Sequence, residues 1–229
     1  MGMFALLPEA IRGDNAQSAK KALADLGEKS ILAVDTETTG LSRTKDFAII
    51  LALSDGVNRY AVWPQSIPAF KDLLENPEVK LIAHNANFDQ WMLLNSGIDL
   101  SKYCKRDHYR VYDTMVMHAL LDDTSAHDLK STTKEYLGIE MVPFKSVFGT
   151  QMRKRTLQDI LLDPENGEVV SNYASLDAYA TYKLFFSLRE QLGNLYIDRQ
   201  NTMWDYYVNS ELKFTKVLWE MERVGILID

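Results

Sequence analysis

The sequence predicts an α/β domain in which helices cover a mixed β-sheet. Short apolar or β-branched runs closed by turn-forming residues, which are typical of strands, occupy the first part of the chain. A helical pattern begins at Thr114 and continues almost to the end. Strands followed by helices favour a sheet with helices packed on it. With 229 residues, 46% of them hydrophobic, the chain can bury the core of one large domain with room for an appendage.

Four segments are predicted to form strands. Each is a short apolar run that ends at Gly, Asp, Pro or Asn, the residues that favour turns. We expect the first three to be consecutive antiparallel neighbours. The segments are 31–36, 47–54, 59–63 and 80–84.

Helices are predicted between and after these strands. Ser66 followed by Pro68 is typical of a helix start, and Ser96-Gly97 is typical of a helix end. From these signals we predict helices at 68–74 and 87–95. The later part of the chain is expected to form helices at 114–121, 128–137, 157–162 and 169–192, and a long helix at 197–223.

The composition excludes several classes of protein. A net charge of -7 argues against a broad basic surface for long duplex DNA, but it allows a protein that holds one nucleic-acid end through metal ions. Cys104, the single cysteine, excludes an internal disulfide and a zinc site built from cysteines. Because no apolar run approaches the roughly 18 residues of a membrane span and no signal peptide is apparent, we expect a soluble, cytoplasmic protein.

Two acids lie at the end of the first predicted strand. Asp35 and Glu37 alternate with Thr36, so their side chains share one face of the strand with backbone positions about 6.6 Å apart. At an effective dielectric near 20, two charges at that distance repel each other by roughly 2.5 kcal/mol. The pair therefore favours a raised pKa or a bound cation, although a solvated strand edge is the simpler explanation for an isolated Asp-x-Glu.

Two more segments place acids in regular structure. Asp89 lies in the first turn of a predicted helix, where it suits the helix dipole; capping alone would also explain it, with Asn87 as an alternative cap. Tyr173 and Asp177 are separated by one helical turn, which places their Cβ atoms about 5 to 6 Å apart. A core tyrosine beside a surface aspartate is the ordinary alternative for this pair.

Together the three segments resemble the motifs of the DEDD superfamily of exonucleases, Asp-x-Glu, Asn-x-x-(Tyr/Phe)-Asp and Tyr-x-x-x-Asp. The position of Tyr173 is that of the tyrosine branch, because the histidine branch requires His where Asn172 stands. Flanking residues from about 31 to 192 resemble the proofreading domain of family A, or DNA polymerase I-type, polymerases; they are His84-Asn85, Tyr112-Asp113-Thr114, His127-Asp128-Leu129 and Tyr136-Leu137-Gly138.

This resemblance implies the fold and the domain organisation. The implied fold is the ribonuclease H-like, or DnaQ-like exonuclease, α/β fold with a mixed β-sheet flanked by helices. Residues 1–195 are expected to form the exonuclease domain. Residues 196–229 resemble the start of a family A polymerase domain.

The resemblance also implies a metal-dependent 3′-5′ exonuclease that releases nucleoside 5′-monophosphates from DNA with two ions. Asp35, Glu37 and Asp177 would hold one ion, and Asp35 would share a second ion that Asp89 approaches. Oxygen ligands without His or Cys suit Mg²⁺ or Mn²⁺ rather than zinc. Tyr173 is expected to orient the attacking water rather than to act as a strong base.

Substrate contacts are implied by the same resemblance. Leu41 matches an apolar wedge against the terminal base, and Phe88 matches an aromatic residue that stacks nearby, with core packing as the alternative for both. Stacking contributes roughly 1 to 3 kcal/mol per base and tolerates any sequence. Asn85 is expected either to bind the terminal sugar or to cap the strand end. Thr38, at the start of the turn that precedes Leu41, completes the predicted substrate-binding set.

The implied partners are the 3′ end of single-stranded DNA and a polymerase domain, in the same chain or in a separate subunit. Phe214, Val217, Leu218 and Met221 recur at helical spacing, and this apolar stripe needs a partner surface.

Two alternative functions stay open. One is a ribonuclease D-like RNA 3′-5′ exonuclease, which shares the acids, and the other is a catalytically inactive structural module of a polymerase, against which the intact set of acids counts.

Overall fold

The computed structural model describes residues 9–104 and 109–225. In these residues six strands form one mixed sheet in the order β1-β4-β3-β2-β5-β6. The strands are β1 Ala10–Gly13, β2 Ile31–Thr38, β3 Ala48–Ser54, β4 Arg59–Val62, β5 Lys80–Ala83 and β6 Val111–Asp113. The β2–β3 and β3–β4 pairs are antiparallel, as predicted, and the other pairs are parallel.

Both faces of the sheet are buried. Alternating side chains of β3 enter two separate hydrophobic clusters: Leu51 and Leu53 pack in the larger cluster, whereas Ile50 and Ala52 pack in the smaller one. A strand buried on both faces is expected to be apolar throughout, and all seven residues of β3 are buried. The α/β class and the helix-flanked mixed sheet predicted from the sequence are therefore confirmed.

The helices surround this sheet. The longest helix, α8 Gly167–Asn194, packs across β2 and β3 and brings the third acidic motif over the first. Short 3₁₀ turns connect several of the helices. The helices are α1 Ala16–Leu26, α2 Lys71–Glu75, α3 Ala86–Asn95, α4 Thr114–Ala119, α5 Leu129–Leu137, α6 Phe144–Phe148, α7 Leu157–Leu161, α8 Gly167–Asn194, α9 Met203–Tyr206 and α10 Leu212–Val224. No helix within the described ranges has both the length and the apolar character that crossing a membrane requires.

The prediction of one continuous helix at 197–223 is wrong in its first part. The Asp198 side chain accepts the backbone N–H groups of Gln200 and Asn201, and this turn is closed by a bridge between Tyr196 and Thr202. Thr202 then starts α9 with a capping box. A wider, π-helical segment, Tyr207–Glu211, separates α9 from α10. Local side-chain bonds to the backbone therefore override the helical periodicity of this segment.

The C-terminal helix packs on the sheet domain itself. Trp219 is 1% exposed, its indole donates to Ser101 Oγ at 3.0 Å, and its ring meets the edge of Trp91 at 5.0 Å. Just before α10, the buried Tyr207 hydroxyl accepts the backbone N–H of Asp113 at 2.9 Å. The opposite face of α10 carries the exposed apolar side chains Phe214, Leu218, Met221 and Val224. The helix therefore has two apolar sides, one buried in this domain and one facing outward.

Candidate metal centre

Three carboxylates from two elements meet above the centre of the sheet. Asp35 and Glu37 project from the same face of β2, which lies between β3 and β5. Asp177 comes from α8, where this helix crosses β2. One oxygen of each carboxylate lies within 4.8 Å of the other two. The β-strand alternation and the helix crossing together produce this trio.

Asp89 stands beside the trio. It lies in the first turn of α3, is 3% exposed, and accepts a hydrogen bond from the Thr36 hydroxyl at 2.7 Å. Thr36 is the residue between Asp35 and Glu37, so this bond ties Asp89 to the strand that carries the other acids. The structure thus brings all four predicted acids to one end of β2.

Burial raises the pKa of every acid in this group, and repulsion from the other acids adds to it for Asp35 and Glu37. Loss of hydration is the largest cause for each, and it raises the pKa of Glu37 to about 8, of Asp89 to about 7 and of Asp177 to about 6. The pKa of Asp35 is raised well above its usual value, because Asp89, Asp177 and Glu37 add their charges to the effect of burial. Such a group is stable only when it holds protons or a cation.

The donor set fits a divalent metal ion. Three carboxylates that converge within 4.8 Å offer hard oxygen ligands without nitrogen or sulfur, the set that Mg²⁺ and Mn²⁺ prefer. An ion at this position would replace the protons that the raised pKa values of Asp35 and Glu37 otherwise retain.

Tyr173 lies one turn before Asp177 on α8. Its ring meets the rings of Phe144 and Phe148 edge-on, with centroids 5.6 and 6.0 Å away, so the ring is held in place. Its hydroxyl accepts a hydrogen bond from Lys130 Nζ at 2.8 Å. Because Tyr173 lies one helical turn from Asp177, its well-packed phenol ring lies at the edge of the acidic group.

Lys130 is a residue of the site that sequence reasoning missed. It lies in the first turn of α5, which Asp128 caps by accepting the Ser131 N–H, and its charge lowers the pKa of Glu37 and Asp177 against the larger effect of burial. A lysine in the first turn of a polar helix has no local feature that separates it from a surface lysine. Only its position three residues after His127, inside a segment noted for its resemblance, pointed toward it.

Leu41 is held outside the core by the turn that precedes it. The Thr38 hydroxyl donates to the Gly40 carbonyl at 2.7 Å, and a Cβ at Gly40 would lie 2.6 Å from the Asp46 carboxylate, which would have to shift to make room for a larger residue. Leu41 itself is 83% exposed, which rules out core packing as its role. Phe88, in contrast, is partly buried against the main core.

Asn85 is exposed and adopts a left-handed backbone conformation, with φ of 65°, at the start of α3. Its side chain makes no capping bond to the helix. The cap is supplied from another strand, because Asp113 accepts the N–H groups of Asn85 and Ala86 at 3.0 and 2.9 Å. The suggestion that Asn87 caps this helix is therefore wrong, and the Asn85 side chain is exposed at the start of α3.

His84 is engaged on both ring nitrogens and does not join the metal ligands. Its Nδ1 lies 2.9 Å from Thr114 Oγ1, and its Nε2 lies 2.7 Å from the His127 carbonyl. Burial lowers the pKa of His84 to about 4, so the ring is neutral at physiological pH. The residue connects β5 with α4 and with the segment that leads into α5.

Comparison with known proteins gives a consistent result. Residues 13–193 match the 3′-5′ exonuclease family. The chain is 24% identical to DNA polymerase I A, chloroplastic/mitochondrial, of Arabidopsis thaliana over 94% of this chain and 25% of that protein. It is 29% identical to DNA polymerase DpoZ of Acinetobacter phage SH-Ab 15497 over 86% of this chain and 31% of that protein. The chain spans about a quarter to a third of the length of these relatives.

Solved structures share the fold at low sequence identity. Brucella melitensis NrnC superposes with a TM-score of 0.68 and 18% identity, covering 96% of this chain and 95% of that one. The EXO domain of Aedes aegypti Nibbler gives a TM-score of 0.64 and 15% identity, covering 90% and 98%. Trypanosoma brucei RNase D gives a TM-score of 0.67 and 14% identity, covering 96% and 75%. At these identities the likeness is one of fold.

Proposed function

This chain belongs to the 3′-5′ exonuclease family and is similar to DNA polymerase I-type proteins, and we propose that it removes nucleotides from the 3′ end of single-stranded DNA. The observation that carries the proposal is the trio of Asp35, Glu37 and Asp177, whose carboxylate oxygens converge within 4.8 Å. Three unpaired acids with raised pKa values are a costly arrangement for stability alone. A metal-dependent hydrolysis explains why three carboxylates lie so close together despite this cost.

We propose that the site takes two ions of Mg²⁺ or Mn²⁺. Asp35, Glu37 and Asp177 would hold the first, and Asp35 and Asp89 would hold the second. Such ions would supply electrostatic stabilisation of the charge that develops on the attacking and leaving oxygens. The trio of carboxylates and the nearby Asp89 are the observations that support this assignment.

The protein's own residues position the reactants. The Tyr173 hydroxyl orients a water molecule whose oxygen attacks the phosphorus of the terminal phosphodiester. The bond between phosphorus and the 3′ oxygen of the preceding nucleotide breaks, and that oxygen takes up a proton to become a free 3′ hydroxyl. The attacking oxygen stays on phosphorus, so the released product is a nucleoside 5′-monophosphate.

Leu41 is proposed to separate the terminal base from its neighbour. Its 83% exposure, next to the strand that carries the acids, supports this role. Asn85, exposed at the start of α3, is proposed to bind the terminal sugar, and Phe88 to support the terminal base from its partly buried position. Thr38 acts through the turn, because its hydroxyl holds Gly40 and so fixes the position of Leu41.

DNA is proposed as the substrate because the curated relatives are DNA polymerases. The similarity of this chain to DNA polymerases also supports a proofreading role. In that role a polymerase domain supplies mismatched 3′ ends, either from the same chain or from a partner subunit. The exposed side of α10, with Phe214, Leu218 and Met221, is a suitable contact surface for that domain. RNA is the second candidate substrate, favoured by the shared fold with an RNase D.

The test is release of nucleotide from 3′-labelled single strands of DNA and of RNA with the same sequence. The wild-type chain is expected to release nucleoside monophosphate from DNA with Mg²⁺ or Mn²⁺ and none with EDTA. Asp35→Ala should abolish the release, whereas Asp123→Ala, in an exposed loop, serves as the matched control. Equal activity of Asp35→Ala and wild type would reject the site, and faster cleavage of RNA would reject DNA as the substrate.

A further inference from the structure

We propose that Lys130 is a positioning residue that sets the direction of the Tyr173 hydroxyl, so that the tyrosine proton faces the attacking water. The inference rests on the proposed exonuclease function. It assigns a role to a residue outside the acidic motifs, on a different helix from the tyrosine it acts on.

The hydrogen bond between the two residues has a defined direction. Lys130 Nζ lies 2.8 Å from the Tyr173 hydroxyl oxygen. An ammonium group has only donors, whereas a phenol oxygen has one donor and acceptor capacity. Lys130 must therefore donate, and Tyr173 must point its own proton away from Lys130.

The rest of Tyr173 is already fixed. Phe144 and Phe148 contact the ring edge-on at 5.6 and 6.0 Å, and the main chain belongs to the long helix α8. The rotation of the O–H bond is the one torsion that this packing leaves free. A donor on one side of the oxygen restricts that torsion, and Asp177, Glu37 and Asp35 lie near enough to help raise the pKa of the Tyr173 hydroxyl.

The position of Lys130 is itself well anchored. Asp128 caps α5 and accepts the Ser131 N–H at 3.1 Å, and α5 packs along α8. The ammonium group therefore approaches Tyr173 from a fixed helix end. Lys134, one turn further along α5, is instead 67% exposed and pairs with Glu140 at the surface. Of the two lysines on this helix only Lys130 contacts Tyr173, which makes Lys134 a control for loss of a lysine from α5.

A double-mutant cycle tests the inference. Single-turnover hydrolysis of single-stranded DNA with Mg²⁺ is measured for wild type, Lys130→Met, Tyr173→Phe and the double variant, with Lys134→Met as control. Lys130→Met is expected to lower the rate about 10-fold with KM within about 2-fold, and Tyr173→Phe to lower it about 100-fold. The double variant should match Tyr173→Phe, because Lys130 acts only through the hydroxyl that Phe lacks. Lys134→Met should match wild type.

Two results would overturn the inference alone. One is a double variant whose loss is the product of the two single losses, about 1000-fold, which would mean that Lys130 acts independently of Tyr173. The other is a raised KM with an unchanged rate, which would mean that Lys130 binds the strand. Thermal unfolding controls for structure, and if Lys130→Met unfolds, Lys130→Gln is tested for the same non-additivity. A wild-type chain that releases no nucleotide would instead overturn the proposed function, and this inference with it.

Discussion

Replacing Glu37 by Gln is expected to stabilise the metal-free protein at neutral pH while abolishing hydrolysis. Burial, with the charges of Asp177 and Asp89, raises the pKa of Glu37 from 4.5 to about 8. Between these two values the unfolded chain carries an ionised glutamate and the folded chain a protonated one. Folding must then take up a proton, so this group makes the protein less stable as pH rises from about 4.5 to about 8.

The magnitude follows from the pKa shift. At pH 7 the difference from the unfolded value is about 2.5 pH units, and each unit corresponds to about 1.36 kcal/mol, which gives roughly 3.4 kcal/mol. Glu37 keeps partial contact with solvent, so we expect about half of this value, roughly 1 to 2 kcal/mol. Glutamine takes up no proton, and the advantage of the variant should therefore be absent below about pH 4.5 and complete above about pH 8.

The assay is urea unfolding in EDTA at pH 5 and pH 8, followed by tryptophan fluorescence. The free energy of unfolding of Glu37→Gln should exceed that of wild type more at pH 8 than at pH 5. Glu140→Gln, at a surface carboxylate that is 75% exposed, should show no such pH dependence. Added Mg²⁺ should stabilise wild type more than the variant, because binding to the folded state adds to its stability. A variant less stable than wild type at pH 8 in EDTA would refute the reasoning.

Three further substitutions probe separate features. Tyr173→Phe keeps the ring packing and removes the hydroxyl, so turnover should fall about 100-fold with DNA binding unchanged, and an unchanged rate would leave Tyr173 a packing residue. Leu41→Ala should change stability by less than about 0.5 kcal/mol but slow hydrolysis of mismatched ends, whereas a lower melting temperature would show a structural role. Trp219→Ala should cost about 3 to 5 kcal/mol in urea unfolding, and wild-type stability would make α10 an independent appendage.

The burial of Leu212 and Trp219 also changes what is expected of a C-terminal deletion. The sequence shows an apolar stripe at Phe214, Val217, Leu218 and Met221 and a tail that resembles the start of a polymerase domain, and from these features alone removal of 210–229 is expected to leave hydrolysis nearly intact. Because Leu212 and Trp219, both on α10, are buried against the sheet domain, this removal should instead destabilise the whole chain. Residues 226–229, the last part of the polymerase-like ending, lie outside the described residues, and the division at residue 195 stays a prediction.

The sequence by itself determined the features that depend on neighbouring residues. The alternation of Asp35 and Glu37 along a strand, the helical spacing of Tyr173 and Asp177, and the turn before Leu41 each need only a few consecutive residues, because strand and helix geometry fix where those side chains point. The same local patterns gave the central antiparallel strands and the longest helix. These patterns predicted the fold class, and the four acids were assigned from the resemblance of their segments to known exonuclease motifs.

Only the tertiary structure decided which distant residues meet. Strands β1 and β6 were not among the predicted strands, and their pairing with β4 and β5 depends on residues far from them in the sequence. Asp113 caps α3 across the sheet, and Lys130 reaches Tyr173 from another helix. These contacts depend on how whole elements pack, and packing places side chains together that no short stretch of sequence connects.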